Sequence, residues 1–135
     1  MKLTVPGNLD SLSAIAKFVM EAARLARLEK NTTYKLRLAV DEIATNIVQH
    51  GYIEAGLKGK IAIRAELETD CLKIILEDWG FAYNSTSYIT ANNLQKPLCQ
   101  RQIGGLGIYL AMESVDNLQY HRIGDRNKHV FTVKR

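Results

Sequence analysis

The sequence predicts an α+β domain, a two-layer sandwich in which three helices pack on one face of a mixed sheet. Three observations carry that expectation. Apolar residues recur at helical spacing in three segments and alternate with polar ones in five short segments. The strands come as one leader and two hairpins rather than in strict alternation with helices. With 135 residues at 47% hydrophobic content, one core suffices, so residues 1–135 are read as a single domain.

In order, "KLTVP" alternates Leu3 and Val5 and stops at Pro6-Gly7, a short first strand. Asn8 or Asp10 can cap a helix that carries Ile15, Val19, Ala22, Ala23 and Ala26 at helical spacing to about Leu28. Asn31-Thr32-Thr33 supplies capping oxygens for a second helix, expected to end near His50 at Gly51, a residue suited to a left-handed closing turn. On that helix Leu36, Ala39, Val40, Ile43 and Ile47 fall on one arc, and Glu42, Thr45, Asn46 and Gln49 on another. "KIAIRAEL" and "CLKIILED" then form a hairpin. Residues from Phe81 to Gln102 lose periodicity, and a loop of that length in a compact domain is usually functional. "GGLGIYLAMESV" opens a third helix, and "NLQYHRI" and "HVFTVKR" close the chain as a hairpin around Gly124 to Asn127.

Composition removes several function classes. The 18 basic and 14 acidic residues leave +4, but Lys and Arg are scattered, so no nucleic-acid footprint is expected. No apolar run approaches the roughly 18 residues of a membrane span, and the start does not read as a signal peptide. Two cysteines, Cys71 and Cys99, are too few for a disulfide scaffold and lack the paired spacing of a zinc site, which suits a cytoplasmic location.

Three constellations carry chemistry. Glu42 and Asn46, four apart, project from one helix face where a ligand could meet both, although a plainly solvated face would look the same. In "EDWG", Asp78 at a strand end can accept from an exocyclic amine and Gly80 gives a flat ring room, although a turn after an edge strand has these letters too. In "GGLG", Gly104, Gly105 and Gly107, with Leu106 between them, leave backbone N–H groups free at a helix start for phosphate oxygens. Arg101, just before them, could meet a terminal phosphate or a partner protein, or be merely solvated. Neither G-x-G-x-x-G nor G-x-x-x-x-G-K-[ST] occurs, which sets aside the dinucleotide-binding and Walker readings.

In this order, with a long loop between the second and third, the constellations resemble the N-box ("DEIATN") and the two glycine boxes ("EDWG", "GGLG") of the GHKL ATPase superfamily, the Bergerat fold. The N-terminal strand and long helix, and the final hairpin with "GDRN", resemble its anti-sigma-factor serine/threonine kinase branch. That resemblance implies ATP and Mg²⁺ as cofactors. Glu42 would be the general base toward a serine hydroxyl and Asn46 would hold Mg²⁺. Asp78 and Gly80 would receive the adenine, Gly104, Gly105, Leu106 and Gly107 with Arg101 would face the phosphates, and the irregular stretch would be the ATP lid. His50 at the helix end is expected to cap carbonyls or favour the dipole, and Trp79 and Tyr83 to pack around the base pocket. The implied partners are a sigma factor and an antagonist carrying a STAS domain, with a homodimer left open and no direct contact to nucleic acid or membrane. The chain departs from the family at "FAYN", Phe81 to Asn84, where prolines and an acidic residue are common. A nucleotide-dependent binding switch without phosphoryl transfer is the alternative.

Overall fold

The computed structural model of the chain describes residues 1–82, 109 and 111–135. Strand β1 (Lys2–Pro6) leads through a 3-10 turn at Leu9–Ser11 into α1 (Leu12–Leu25). Helix α2 (Lys30–Asn46) follows and passes without a break into π winding over Ile47–Ile53. Hairpin β2 (Lys60–Leu67) and β3 (Cys71–Asp78) comes next, and β4 (Asn117–Ile123) with β5 (Arg126–Lys134) closes the chain. Residues 109 and 111–113 are helical and belong to the predicted third helix, whose glycine-rich opening lies outside the described residues.

The sheet order is β1-β2-β3-β5-β4 and every neighbouring pair is antiparallel, so the described sheet is not mixed. Direction explains this. Between β1 and β2 the chain crosses the layer twice, along α1 and α2, and re-enters the sheet running opposite to β1. Each remaining neighbour pair is either a hairpin or, for β3 and β5, strands separated by further reversals. One face of the sheet takes the helices: Ile61, Ile63, Leu72, Ile74, Leu76 and Phe131 are essentially fully buried there. Against them α1 brings Ile15 and Val19, and the second helix its predicted arc, Leu36, Ala39, Val40 and Ile43 on α2 and Ile47 at the start of the π winding, all buried.

The helix ends differ from expectation. Helix α1 closes about a turn before the end of its apolar pattern, with Arg27 in the left-handed region (φ 56) and the Leu28 N–H bonded back to the Ala23 carbonyl at 3.1 Å. Neither Asn8 nor the Asn31-Thr32-Thr33 oxygens cap a helix through a side chain: Asn8 precedes the 3-10 turn, and α2 begins at Lys30 after Glu29 in extended conformation. Gly51 does not stop the second helix either, which runs on to Ile53.

The β4–β5 turn is also tighter than its letters suggest. Ile123 pairs with Arg126, leaving only Gly124 and Asp125 in the loop, with Gly124 at φ 62 as a two-residue hairpin loop favours. Asn127 therefore sits inside β5, opposite Asp78.

Candidate functional site

Strand alternation sends the two carboxylates of "EDWG" to opposite faces of the sheet. Glu77, on the face away from the helices, is paired with Arg64 and with Arg126 Nε at 2.9 Å. Asp78 points into the helix side and is 1% exposed. Its Oδ1 accepts from the Gly80 N–H at 3.0 Å and from Asn127 Nδ2 at 2.9 Å. Its Oδ2 is enclosed and has no hydrogen-bond partner among the described residues. Burial raises the Asp78 carboxyl above its ordinary value, opposed by Asn127, the Gly80 N–H and the Arg122 guanidinium. An enclosed carboxylate oxygen is an acceptor whose chemistry suits the exocyclic amine of a flat ring.

Asn127 organises this corner. Its amide nitrogen also reaches the carbonyls of Gly80 at 3.3 Å and Phe81 at 3.2 Å, while its Oδ1 accepts from the Tyr120 hydroxyl at 2.5 Å and Arg122 Nη1 at 3.1 Å. Arg122 donates as well to the Gly80 carbonyl at 3.2 Å. Tyr52 holds the other side: its oxygen accepts from the Trp79 N–H at 2.9 Å and its hydroxyl donates to the Lys60 carbonyl at 2.5 Å. The Trp79 ring carries Lys60 Nζ 4.9 Å from its centroid.

The π-wound segment brings the second helix to this corner. A Cβ on Gly80 would come to 2.6 Å from the Gly51 carbonyl oxygen, so the two backbones meet where a side chain has no room. The Gly51 carbonyl, released from α-helical bonding, accepts from the Phe81 N–H at 2.9 Å. A glycine that reads as a helix stop is thus a crossing point between helix and strand. Asn46, five residues back, is one π-helical repeat away along the same axis, on the order of 7 Å from Gly51 at the usual helical rise, and Glu42 lies on the order of 13 Å from it.

Asn46 is 6% exposed, which corrects the reading of its arc as simply polar and solvated. Its Nδ2 is enclosed and makes no hydrogen bond among the described residues, although the amide lies near enough to Glu42 to hold that carboxyl down. Burial is the larger influence on Glu42, which is half-buried, and raises its carboxyl above the ordinary value. Turned about its last side-chain bond, the Asn46 amide can present its oxygen to a ligand. A buried amide with spare bonding capacity beside a carboxyl of raised basicity fits one oxygen ligand of a hard cation next to a proton acceptor.

His50 is the basic residue in the last turn of the π segment, as a favourable dipole position requires, with Nδ1 2.6 Å from Glu54 Oε2. The positions assigned to phosphates, Arg101, Gly104, Gly105, Leu106 and Gly107, lie outside the described residues, as do Tyr83, Cys99 and nearly all of the lid stretch. Asp78, Gly80, Glu42 and Asn46 are thus placed on two elements that touch at Gly51. Sequence reasoning missed Asn127, Tyr52 and Arg122. For Asn127 a signal existed: with Gly124-Asp125 as a complete two-residue loop, counting back along β5 puts it opposite the end of β3.

No helix among the described residues is long and apolar enough to cross a membrane. Comparison with known proteins agrees with the geometry. Residues 5–134 match the family pattern described as the histidine kinase-like ATPase domain. Among curated proteins, the "Serine-protein kinase RsbW" of Bacillus cereus (strain AH187) is 28% identical over 122 residues, covering 88% of this chain and 75% of that one. The protein of the same name from Bacillus mycoides (strain KBAB4) is 27% identical over the same span. Among solved structures, the histidine kinase domain of the blue-light activated histidine kinase of Erythrobacter litoralis EL346 superposes with a TM-score of 0.59 at 16% identity. It covers 90% of this chain and 58% of that one, and so bears on the fold alone. The chain is a member of the histidine kinase-like ATPase domain family, an α+β fold built to bind ATP.

Proposed function

We propose that the chain is an ATP- and Mg²⁺-dependent protein serine/threonine kinase of the anti-sigma type, which phosphorylates a STAS-domain antagonist and exchanges partners with nucleotide state. The observation that carries the reading is the order of groups along one axis. The Asp78 carboxyl, whose Oδ2 has no partner among the described residues, comes through Oδ1 to 3.8 Å from where a Cβ on Gly51 would stand; the buried amide of Asn46 lies one helical repeat away, and the carboxyl of Glu42 a further turn on. Base, metal-bound phosphate and phosphoacceptor follow one another in the same order in a kinase complex. The relatives named serine-protein kinases, at 27–28% identity, support the same choice.

In this reading Asp78 and Gly80 hold and orient the base, and Asn46 offers one oxygen to the octahedral shell of Mg²⁺. Bound Mg²⁺-ATP supplies the phosphoryl group and the charge compensation that its transfer needs. Glu42 aligns the attacking hydroxyl and takes its proton as the new oxygen–phosphorus bond forms and the bond to the leaving ADP breaks. Burial suits it to that task, because a raised carboxyl is a stronger base. The glycines at 104, 105 and 107, with Leu106 and Arg101, would face the phosphates.

The test is transfer of labelled phosphate from ATP to a STAS-domain protein from the source cell, with binding measured separately. Glu42→Gln should keep Mg²⁺-ATP binding and lose roughly 10²-fold or more in transfer. Asn46→Ala should weaken metal-dependent ATP affinity and leave metal-free nucleotide binding nearly unchanged. A parent protein that binds ATP and exchanges partners without transfer would instead be a nucleotide-dependent switch.

A further inference from the structure

One buried polar side chain remains without a role. His129, in the middle of β5, is 1% exposed, and neither ring nitrogen has a hydrogen-bond partner among the described residues. Burial lowers its pKa to about 4, so near neutral pH the ring is uncharged, with one N–H to give and one lone pair to receive. Its location ties it to the Asp78 corner. His129 stands opposite Leu76 on β3, two residues along from the Asn127–Asp78 pair. Side chains two apart on a strand share a face at a spacing of roughly 7 Å, so His129, Asn127 and Asp78 all project toward the helices. The ring also lies 5.0 Å from that of Tyr120, centroid to centroid, and the Tyr120 hydroxyl donates to Asn127. Asp78 Oδ2 and the His129 nitrogens are each enclosed without a partner among the described residues and do not bond one another, so on this shared face one has room for a donor and the other can supply one.

We propose that His129 is a second reader of the nucleobase, its N–H donating, directly or through one enclosed water, to the ring nitrogen beside the exocyclic amine that Asp78 accepts. An acceptor next to a donor matches the amine and N1 of adenine. It opposes both O6 and the N1–H of guanine, so two contacts enforce a choice that one carboxylate would enforce less strongly. The alternative is a histidine that only fills the core between Tyr120 and Leu76.

The inference rests on the adenine-nucleotide reading of the site, and the test separates the two. Titration calorimetry compares ATP with 1-deaza-ATP, in which a C–H replaces N1, on the parent and on His129→Phe. The parent should bind 1-deaza-ATP about 10-fold or more weakly than ATP, as loss of one hydrogen bond to a buried donor implies. In His129→Phe, ATP affinity should fall by a similar factor and the two nucleotides should bind alike, a non-additive result that core filling alone would not produce. His129→Gln, which restores an N–H donor, should recover part of the preference. Thermal melting checks that the variants fold, and the parent comparison stands without them. Equal affinity of the parent for ATP and 1-deaza-ATP overturns the role of His129 alone. Absence of ATP binding by the parent overturns the base pocket and this inference together.

Discussion

Asp78→Asn should separate nucleotide affinity from folding more cleanly than any other single change. The substituted side chain keeps an oxygen where Oδ1 stands, so the bonds from the Gly80 N–H at 3.0 Å and from Asn127 Nδ2 at 2.9 Å have an acceptor to remain on. Only Oδ2 changes, becoming an NH₂ at the one position that has no protein partner among the described residues. Because burial raises the Asp78 carboxyl, the ionised form weakens the fold near neutral pH, and a neutral amide relieves that penalty. Stability should therefore stay within about 1 kcal/mol of the parent or rise. The nucleotide loses a hydrogen bond to a charged acceptor and meets a donor against its own amine, about 2–3 kcal/mol, or roughly 30- to 150-fold in Kd. GTP, whose O6 accepts, should lose less, so the preference for ATP should shrink. Calorimetric titration with both nucleotides near neutral pH, paired with denaturant unfolding, reads all of this. A variant that keeps the parent's ATP affinity and its ATP-to-GTP ratio would refute the assignment of Asp78 to the base.

The other expected outcomes concern the frame of the site. Gly80→Ala would put a Cβ 2.6 Å from the Gly51 carbonyl oxygen and 3.2 Å from Asp78 Oδ1, so backbone must move. It should destabilise by about 1–3 kcal/mol in urea and weaken nucleotide binding with it. Acidification should unfold the domain through His129: with a folded pKa of about 4 against 6.5, its contribution is complete above pH 6.5 and is lost as pH falls toward 4. That loss should be about 2 kcal/mol by pH 5, read as the pH slope of the urea midpoint, and His129→Phe should flatten it. The raised carboxyls of Asp78 and Glu42 act in the opposite direction, adding stability as pH falls through their folded pKa values. Arg27→Gly should stabilise by about 1 kcal/mol in the same assay, because φ 56 burdens any residue with a Cβ.

The strands were legible because their signal is local. "KIAIRAEL" and "CLKIILED" are β2 and β3 to the residue, and their alternation names the buried face without reference to anything distant. The apolar arc of the second helix was legible for the same reason. Its end was not. Gly51 carries the letter of a helix stop, but its carbonyl is taken by the Phe81 N–H, thirty residues on, and that tertiary bond lets the helix continue in π winding. Asn127 was misplaced by a similar route, since asparagine suits turns and only the register with β3 draws it into a strand. Burial of Asn46 was hidden too, because the helical pattern sees the second helix and not what packs over it.

Gly51 and Asn127, both misread, lie where the second helix and the sheet meet. The carboxylate proposed to hold the base belongs to β3 and the residues proposed for metal and proton transfer belong to α2, and the backbone contact of Gly51 with Gly80 joins the two. There is no side chain at this contact to absorb a shift, and the Phe81 N–H bond adds direction to it. A displacement of the Gly80 turn on nucleotide entry must therefore either push the π segment or break that bond. The first course would carry the movement along the helix toward Asn46 and Glu42. If the chain acts as proposed, a base pocket joined in this way to the helix of Asn46 and Glu42 would orient the reacting groups by the act of holding the base, which is what a phosphoryl transfer that depends mainly on positioning requires.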